Sequence, residues 1–236
     1  MDDILHNLAG RPRPTPERPF LGLTILVVED SRYASEAMRL LCLRSGARIR
    51  RADCIASARR HLNVYRPSVA IVDLGLPDGS GLDLIAHISA LQPRVPVVLG
   101  TSGADRDTAA VAAMGAGADG FLPKPLETLA AFQAAILAHL PDTLRPKLPR
   151  VAEGGRVTPD LIAYREDLSH AMDLLAQDDL PLGYLRRFLL GVARSAQDGA
   201  LEDRAKDLPP ATLDPAARLA LHQFLSHRVA GLPLAM

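Results

Sequence analysis

Charged and hydroxyl side chains follow four short apolar runs of this sequence, at the point where each run ends. Glu29 and Asp30 close LTILVVED, Asp73 closes SVAIVD, Thr101 follows VPVVLG, and Lys124 follows GFLP. Carboxylates that lie close together repel one another unless a cation lies among them, and a small group of oxygen ligands suits Mg²⁺. An ionised aspartate beside such a cation is a nucleophile for phosphoryl groups. We therefore predict a phosphoryl-transfer site in which Asp73 forms an acyl phosphate.

The apolar runs alternate with amphipathic segments, and this alternation predicts how the site residues are brought together. Five predicted strands alternate with five predicted helices between residues 21 and 141. Continuous apolar strands between helices indicate a parallel sheet with both faces covered. In such doubly wound α/β sheets the site lies outside the carboxyl ends of the strands. The fold class predicted for this part is therefore α/β, with a doubly wound five-stranded parallel sheet.

Each site residue also has an ordinary structural interpretation. An aspartate at a strand end is commonly a turn or cap residue, Thr101 is suited to capping the next helix, and Lys124 is compatible with a solvated loop. The predicted site depends on their occurring together. The segment GLPDGSG, residues 75–81, supplies a chain that can bend back beside Asp73.

Residues 22–141 resemble the receiver domain of two-component response regulators. The resemblance rests on ED at 29–30, DLGLPDGSG at 73–81, VVLGTSG at 97–103 and GADGFLPKPL at 117–126, in this order across the whole domain. It implies a flavodoxin-like receiver fold. It also implies that Asp73 accepts a phosphoryl group from a histidine kinase or a phosphotransfer protein, and that the helix beginning near Ser31 is the surface on which the kinase docks.

The same resemblance assigns roles around Asp73. It implies that Mg²⁺ is the cofactor, held by Glu29, Asp30, Asp73 and the backbone carbonyl of Gly75. Thr101 and Lys124 would contact the phosphoryl group, and Phe121 would be a switch residue whose ring turns inward when Thr101 moves. The Lys124–Pro125 peptide is expected to be cis. Gly75 and Gly103 flank the site without side chains, so the sequence alone shows no barrier to attacking water.

The rest of the chain divides by composition. Residues 1–20 are predicted to be an arm or linker, since RPRPTPERP carries four prolines. The receiver domain spans 21–141, a linker rich in proline and glycine spans 142–158, and 159–236 is predicted to be a small all-α domain. Two cysteines are too few for a disulfide scaffold, no apolar run is long enough to span a membrane, and no signal peptide is evident, so a cytoplasmic location is expected.

Three C-terminal helices are predicted, near 160–178, 181–197 and 214–230, with Asp178 or Asp179 capping the second. Residues 151–236 carry 9 basic and 12 acidic side chains, a net of −3, so a DNA-reading output is not supported. Short helices of this kind expose apolar surface, and we expect the first two to form a hairpin through which the chain dimerises. His170 is predicted to lie on the exposed face of the first.

The resemblance, together with these patterns, implies a response regulator in which phosphorylation of Asp73 alters protein–protein contacts or dimerisation through the helical domain. It is not expected to be an enzyme, since Asp73 would only gain and lose its own phosphoryl group. Three alternatives remain: a DNA-binding transcriptional regulator, a phosphorelay protein using His170, and a hydrolase of the haloacid dehalogenase type. The last requires an aspartate two residues after the nucleophile, where this sequence has Gly75.

Overall fold

The computed structural model describes residues 14–126, 128–146 and 157–233. The first part forms a five-stranded parallel sheet in the order β2-β1-β3-β4-β5. Its strands are β1 Thr24–Val28, β2 Arg48–Ala52, β3 Val69–Asp73, β4 Val97–Ser102 and β5 Gly120–Pro123. Its helices are α1 Arg32–Arg44, α2 Ile55–Val64, α3 Gly81–Ser89, α4 Arg106–Gly115 and α5 Leu129–Leu137. This is the predicted alternation, and the predicted doubly wound fold is confirmed.

Helices cover both faces of the sheet, as the continuous apolar strands require. On one face α1 and α5 contribute Met38, Leu41, Phe132 and Ile136 to a buried cluster. On the other face α2, α3 and α4 enclose a second cluster, which includes Ala58, Leu62, Leu84, Ile85 and Ala113. Every residue of β3 is buried. The central strand thus holds its last residue, Asp73, in a fixed position at the edge of a packed core.

Local signals set the limits of α1 as predicted. The Ser31 hydroxyl accepts a hydrogen bond from the Ala34 backbone N–H at 3.1 Å and caps the helix. The helix ends at Arg44, and Gly46 follows with φ +86°. This left-handed conformation favours glycine.

Parts of both predicted connecting segments belong to the core of the α/β domain. Phe20, the last residue of the predicted arm, is fully buried, and its ring meets that of Phe132 edge-on at 6.0 Å. Val157, near the end of the predicted linker, is buried in the same cluster. The predicted arm residues 1–13 and linker residues 147–156 lie outside the described residues.

The C-terminal part folds into a helical bundle. Its helices are α6 Leu161–Leu175, α7 Leu182–Ala196, α8 Gly199–Lys206 and α9 Pro215–Ala230. Three of them match the predicted helices, whereas α8 was not predicted. The capping prediction was wrong, because Pro181 is the N-cap residue of α7 and neither Asp178 nor Asp179 caps it. Proline fits this end because it lacks the N–H that a helix start leaves unpaired.

The bundle packs directly against the α/β domain. Helices α6 and α7 lie along α1, and Tyr33 of α1 joins the apolar cluster of the bundle, with its ring 5.7 Å from that of Tyr164. Leu168, Leu185 and Leu189 are fully buried in this cluster. The apolar side of the predicted hairpin is thus covered within the chain. Dimerisation stays a prediction. None of the helices in the described ranges is long and apolar enough to cross a bilayer.

Candidate phosphoacceptor site

The carboxyl ends of the strands bring the predicted site residues together. Glu29 and Asp30 follow β1, Asp73 is the last residue of β3, and Lys124 follows β5. Asp73 pairs in register with Thr101 on the neighbouring β4. Because all five strands are parallel, these ends meet at one edge of the sheet.

Lys124 forms a buried ion-paired centre with two of the acids. Its Nζ atom lies 2.5 Å from Oδ2 of Asp73 and 2.6 Å from Oε2 of Glu29. All three side chains are at most 10% exposed. Burial alone would lower the pKa of Lys124, but the two carboxylates outweigh it, and the pKa lies above its usual value. The lysine therefore stays charged, beside the carboxylate that would carry a phosphoryl group.

The acidic side chains form a group suited to a cation. Glu29, Asp30 and Asp73 each place one carboxylate oxygen within 4.8 Å of the others. Burial, and then the charge of Asp73, raise the pKa of Asp30 to about 7, and burial also raises the pKa of Glu29. Three carboxylates share one ammonium group here, so a further cation would stabilise their charged forms. The residues present thus fit a hard divalent cation with oxygen ligands.

Gly75 and Thr101 complete the surroundings of Asp73. The Gly75 backbone N–H donates to Oδ1 of Asp73 at 3.1 Å, so the loop bends back beside the carboxylate as predicted. Thr101 is fully buried, and its hydroxyl oxygen has no hydrogen-bond partner among the described residues. A buried hydroxyl without a partner is costly. A phosphoryl oxygen on Asp73 would supply one.

Phe121 and the Lys124–Pro125 peptide lie on β5 and directly after it. Phe121 lies on β5, is half-buried, and packs against the cluster under α2, α3 and α4. A β-carbon built on Gly100 would lie 3.3 Å from the Phe121 ring, so the ring is next to β4. The Lys124–Pro125 peptide is cis, as predicted.

Three C-terminal residues reach this site, and no pattern in the sequence indicated them. The Tyr184 hydroxyl of α7 donates to Oδ2 of Asp30 at 2.7 Å. The Arg194 guanidinium of α7 donates to the carbonyl of Gly103, in the loop after β4. Asp167 of α6 accepts hydrogen bonds from the first residues of α1. More than 90 residues separate each pair, so no local pattern marks these contacts.

His170 is exposed on α6, as predicted. Its ring packs edge-on against that of Phe188 at 5.3 Å. Partial burial lowers its pKa. The imidazole lines a groove of about 1080 Å³ between α1 and α6, which Glu29, Asp30 and Tyr184 also line. His170 and the acidic pair thus line the same groove, and in the described residues His170 makes no hydrogen bond or ion pair with Asp73.

Comparison with known proteins agrees with this geometry. The family profile of the response regulator receiver domain matches residues 25–136. The KDP operon transcriptional regulatory protein KdpE of Escherichia coli is 30% identical over 142 residues, which are 59% of this chain and 61% of that protein. The virulence transcriptional regulatory protein PhoP of Salmonella typhimurium is 33% identical over 115 residues, 48% of this chain and 51% of that protein.

The match is confined to part of each chain. This chain spans between about half and three fifths of the length of those two relatives. The crystal structure of the receiver domain of NtrX from Brucella abortus is 28% identical, covers 48% of this chain and 93% of its own, and has a TM-score of 0.43. The matched profile contains Glu29, Asp30, Asp73, Thr101 and Lys124, and it ends before the helical bundle. Residues 25–136 therefore match the receiver domain of response regulators, and in this chain they are joined to a C-terminal bundle that lies outside the matched residues.

Proposed function

We propose that this protein is a two-component response regulator whose Asp73 is the phosphoacceptor. The observation that carries the proposal is the buried centre in which Lys124 contacts both Asp73 and Glu29 beside Asp30. An ammonium group within 2.5 Å of one Asp73 oxygen leaves the other oxygen as the nucleophile. Phosphoryl transfer requires positioning and charge neutralisation more than covalent chemistry by the protein.

Other residues of the site would hold the metal ion and contact the phosphoryl oxygens. Glu29, Asp30, Asp73 and the Gly75 carbonyl would hold Mg²⁺, which when bound neutralises charge on the phosphoryl oxygens. Lys124 and the Thr101 hydroxyl contact those oxygens, and Phe121 follows the movement of Thr101. In the transfer itself, the bond from phosphorus to the donor breaks as the bond to an Asp73 oxygen forms. The protein turns over no free substrate other than its own phosphoryl donor.

The C-terminal bundle is the proposed output of the switch. Tyr184 binds Oδ2 of Asp30, one of the proposed metal ligands, so metal binding and phosphorylation act on a contact that holds the bundle. Phosphorylation adds about 1.5 to 2 negative charges. We propose that this charge changes how the bundle packs against α1. The change would expose apolar surface of the bundle to a protein partner or to a second copy of this chain, in the cytoplasm.

The partner that phosphorylates Asp73 is proposed to be a histidine kinase or a phosphotransfer protein. The surface that the resemblance assigns to kinase docking is α1, and α6 and α7 lie along it in this chain. A kinase and the bundle would therefore compete for α1. This competition predicts that kinase-dependent phosphorylation is faster in a chain that ends at residue 158.

The test uses the full chain with acetyl phosphate, Mg²⁺ and intact-mass measurement. Addition of one phosphoryl group, lost in Asp73→Asn and without Mg²⁺, supports the proposal. The same added mass in Asp73→Asn would refute it. Lys124→Ala is expected to reduce the extent of phosphorylation, and Asp179→Asn, on an exposed loop, serves as the control.

A phosphorelay role for His170 is the second candidate, because His170 lines the groove that also contains Glu29 and Asp30. It requires that phosphate labelled on Asp73 passes to the imidazole, giving a bond that is labile in acid and stable in alkali. Replacement of His170 by Gln with no change in the phosphate products rejects this role.

DNA binding is the third candidate, because KdpE and PhoP are named as transcriptional regulatory proteins. The net charge of −3 over residues 151–236 weighs against it. A shift of promoter DNA at low salt that disappears at high salt would favour it over a protein partner.

A further inference from the structure

Asp73 is shielded from solvent, although two glycines that flank the site have no side chains to cover it. Its exposed fraction is 7%. Gly75 lies two residues after it, Gly103 lies two residues after its register partner Thr101, and neither glycine has a side chain to cover the carboxylate. Another part of the chain must therefore close these two sides of the site. That part is α7.

On the Gly103 side, α7 approaches backbone to backbone. A β-carbon built on Gly103 would lie 2.7 Å from the Cα atom of Gly191 and 3.1 Å from its backbone nitrogen. A β-carbon on Gly191 would lie 3.7 Å from Nζ of Lys124. Glycine at both positions allows the helix to lie directly on the loop after β4. The Arg194 guanidinium, which donates to the Gly103 carbonyl, fixes this approach.

On the Gly75 side, the side chain of Arg187 lies beside the position that a side chain at residue 75 would occupy. A β-carbon built on Gly75 would lie 3.6 Å from Nε of Arg187 and 3.7 Å from its Cβ and Cδ atoms. Arg187 precedes Gly191 by four residues, so both face the receiver from the same side of α7. In the described ranges no carboxylate lies within ion-pair distance of Arg187.

A cavity of about 280 Å³ lies between α7 and the strand ends, and its lining includes Asp73, Lys124, Gly75, Arg187 and Gly191. A water molecule takes up about 30 Å³ in the liquid. The cavity therefore has room for a phosphoryl group together with several waters. A guanidinium at its wall, with no carboxylate partner, is suited to the oxygens of a phosphoryl group.

We propose that α7 is a wall of the phosphoacceptor pocket and that Arg187 is a residue of this wall that contacts the phosphoryl oxygens. The proposal rests on the function proposed above. When acetyl phosphate is the donor, its P–O bond to acetate breaks, the electron pair leaves with acetate, and an Asp73 oxygen bonds to phosphorus. In hydrolysis, water bonds to phosphorus, the Asp73 carboxylate leaves with the electron pair of the broken bond, and both protons of the water end on the released phosphate.

The charge of Arg187 and the contact of α7 with Gly103 affect phosphorylation and hydrolysis differently. The charge of Arg187 favours binding of the anionic donor, so its loss raises the KM for acetyl phosphate. Contact between α7 and Gly103 limits the access of water, so displacement of α7 speeds hydrolysis. The second effect does not depend on the charge of Arg187.

The first experiment measures the KM for acetyl phosphate in the full chain with Mg²⁺. Loss of a partly exposed charge-assisted hydrogen bond, of order 1 kcal/mol, corresponds to a rise of about 5-fold in KM for Arg187→Ala. Arg187→Lys keeps the charge and is expected to retain most of the affinity. Arg186→Ala is the control, because Arg186 contacts the carbonyl of Lys206 on α8. Equal KM values for Arg187→Ala and the unmodified chain would overturn the role of Arg187, as would equal effects of the Lys and Ala variants.

The second experiment follows hydrolysis after the donor has been removed. Gly103→Ala places a β-carbon against the backbone of Gly191 and is expected to speed loss of the phosphoryl group. Gly115→Ala is the matched control, because a β-carbon on Gly115 meets nothing within 4 Å. An unchanged hydrolysis rate in Gly103→Ala would overturn the proposal that α7 is a wall of the pocket. If the unmodified chain takes up no phosphoryl group at Asp73, the proposed function fails as well, whereas normal uptake with unchanged variants defeats only this inference.

Discussion

Replacement of Asp167 by Ala tests how firmly the bundle is joined to the receiver. Asp167 lies on α6 and is 1% exposed. Its Oδ2 atom accepts from the Ser31 hydroxyl at 2.7 Å and from the Tyr33 backbone N–H at 3.0 Å, and Oδ1 accepts from the Arg32 backbone N–H at 2.7 Å. The side-chain carboxylate of Asp167, in the C-terminal bundle, thus accepts hydrogen bonds from backbone N–H groups that the first turn of α1 leaves unpaired.

The expected magnitude follows from these three hydrogen bonds. Each bond to a charged group contributes about 1.5 to 3 kcal/mol, and a buried donor left without a partner costs a further 1 to 3 kcal/mol. Burial opposes these gains, as shown by the pKa of Asp167, which desolvation raises to about 6. The Ser31 hydroxyl still caps α1 through Ala34. We expect Asp167→Ala to lower the free energy of unfolding by about 2 to 4 kcal/mol.

Urea denaturation followed by circular dichroism measures this change. At a slope of about 2 to 3 kcal/mol per molar urea, the midpoint should fall by about 1 M. Glu166→Ala is the matched control, because Glu166 makes an exposed ion pair with Arg32 at 3.2 Å, and such pairs contribute about 0 to 1 kcal/mol. The reasoning is refuted if Asp167→Ala destabilises the protein no more than Glu166→Ala does.

Three further predictions concern the core, the acidic group and the cysteines. Gly100→Ala should destabilise the protein by about 1 to 3 kcal/mol by thermal or urea unfolding, because the new β-carbon would lie 2.7 Å from Cβ of Ala113; an unchanged stability would contradict the packing at β4. Mg²⁺ should raise the melting temperature, by the equivalent of about 2.7 kcal/mol at 100 times its Kd, and this rise should shrink in Asp30→Asn; an equal rise in both would place the metal elsewhere. In the native protein Cys42 should resist alkylation at pH 8, since burial raises the pKa of its thiol to about 12, and only denaturation should release it; prompt labelling of Cys42 would contradict its burial.

The receiver part was largely predictable because its determinants are local. Apolar runs marked the buried strands, and parallel strands bring their carboxyl ends to one edge, so the convergence of Glu29, Asp73 and Lys124 followed from order along the chain. Ser31 and Gly46 likewise act locally, at the beginning and just after the end of α1. The cis peptide before Pro125 was expected from the family resemblance.

The C-terminal part was less predictable because its determinants are contacts between distant segments. In the sequence, Tyr184 is an ordinary aromatic residue of a predicted amphipathic helix. Only the folded chain shows that its hydroxyl donates a hydrogen bond to Asp30. Gly103 and Gly191 had no visible relation in sequence, although each makes room for the other. Helix α8 has only eight residues, too short for an apolar period to stand out. The predicted surface for dimerisation was inferred for an isolated hairpin, whereas α6 and α7 lie on α1.

The central claim is that Asp73 itself carries the phosphoryl group. Reduction of the phosphorylated chain with borohydride, followed by peptide mapping, tests it most directly, because an aspartyl phosphate is converted to homoserine at its own position. The account predicts homoserine at residue 73, dependent on both acetyl phosphate and Mg²⁺. Homoserine at another position, or phosphorylation that leaves residue 73 as aspartate, would contradict it.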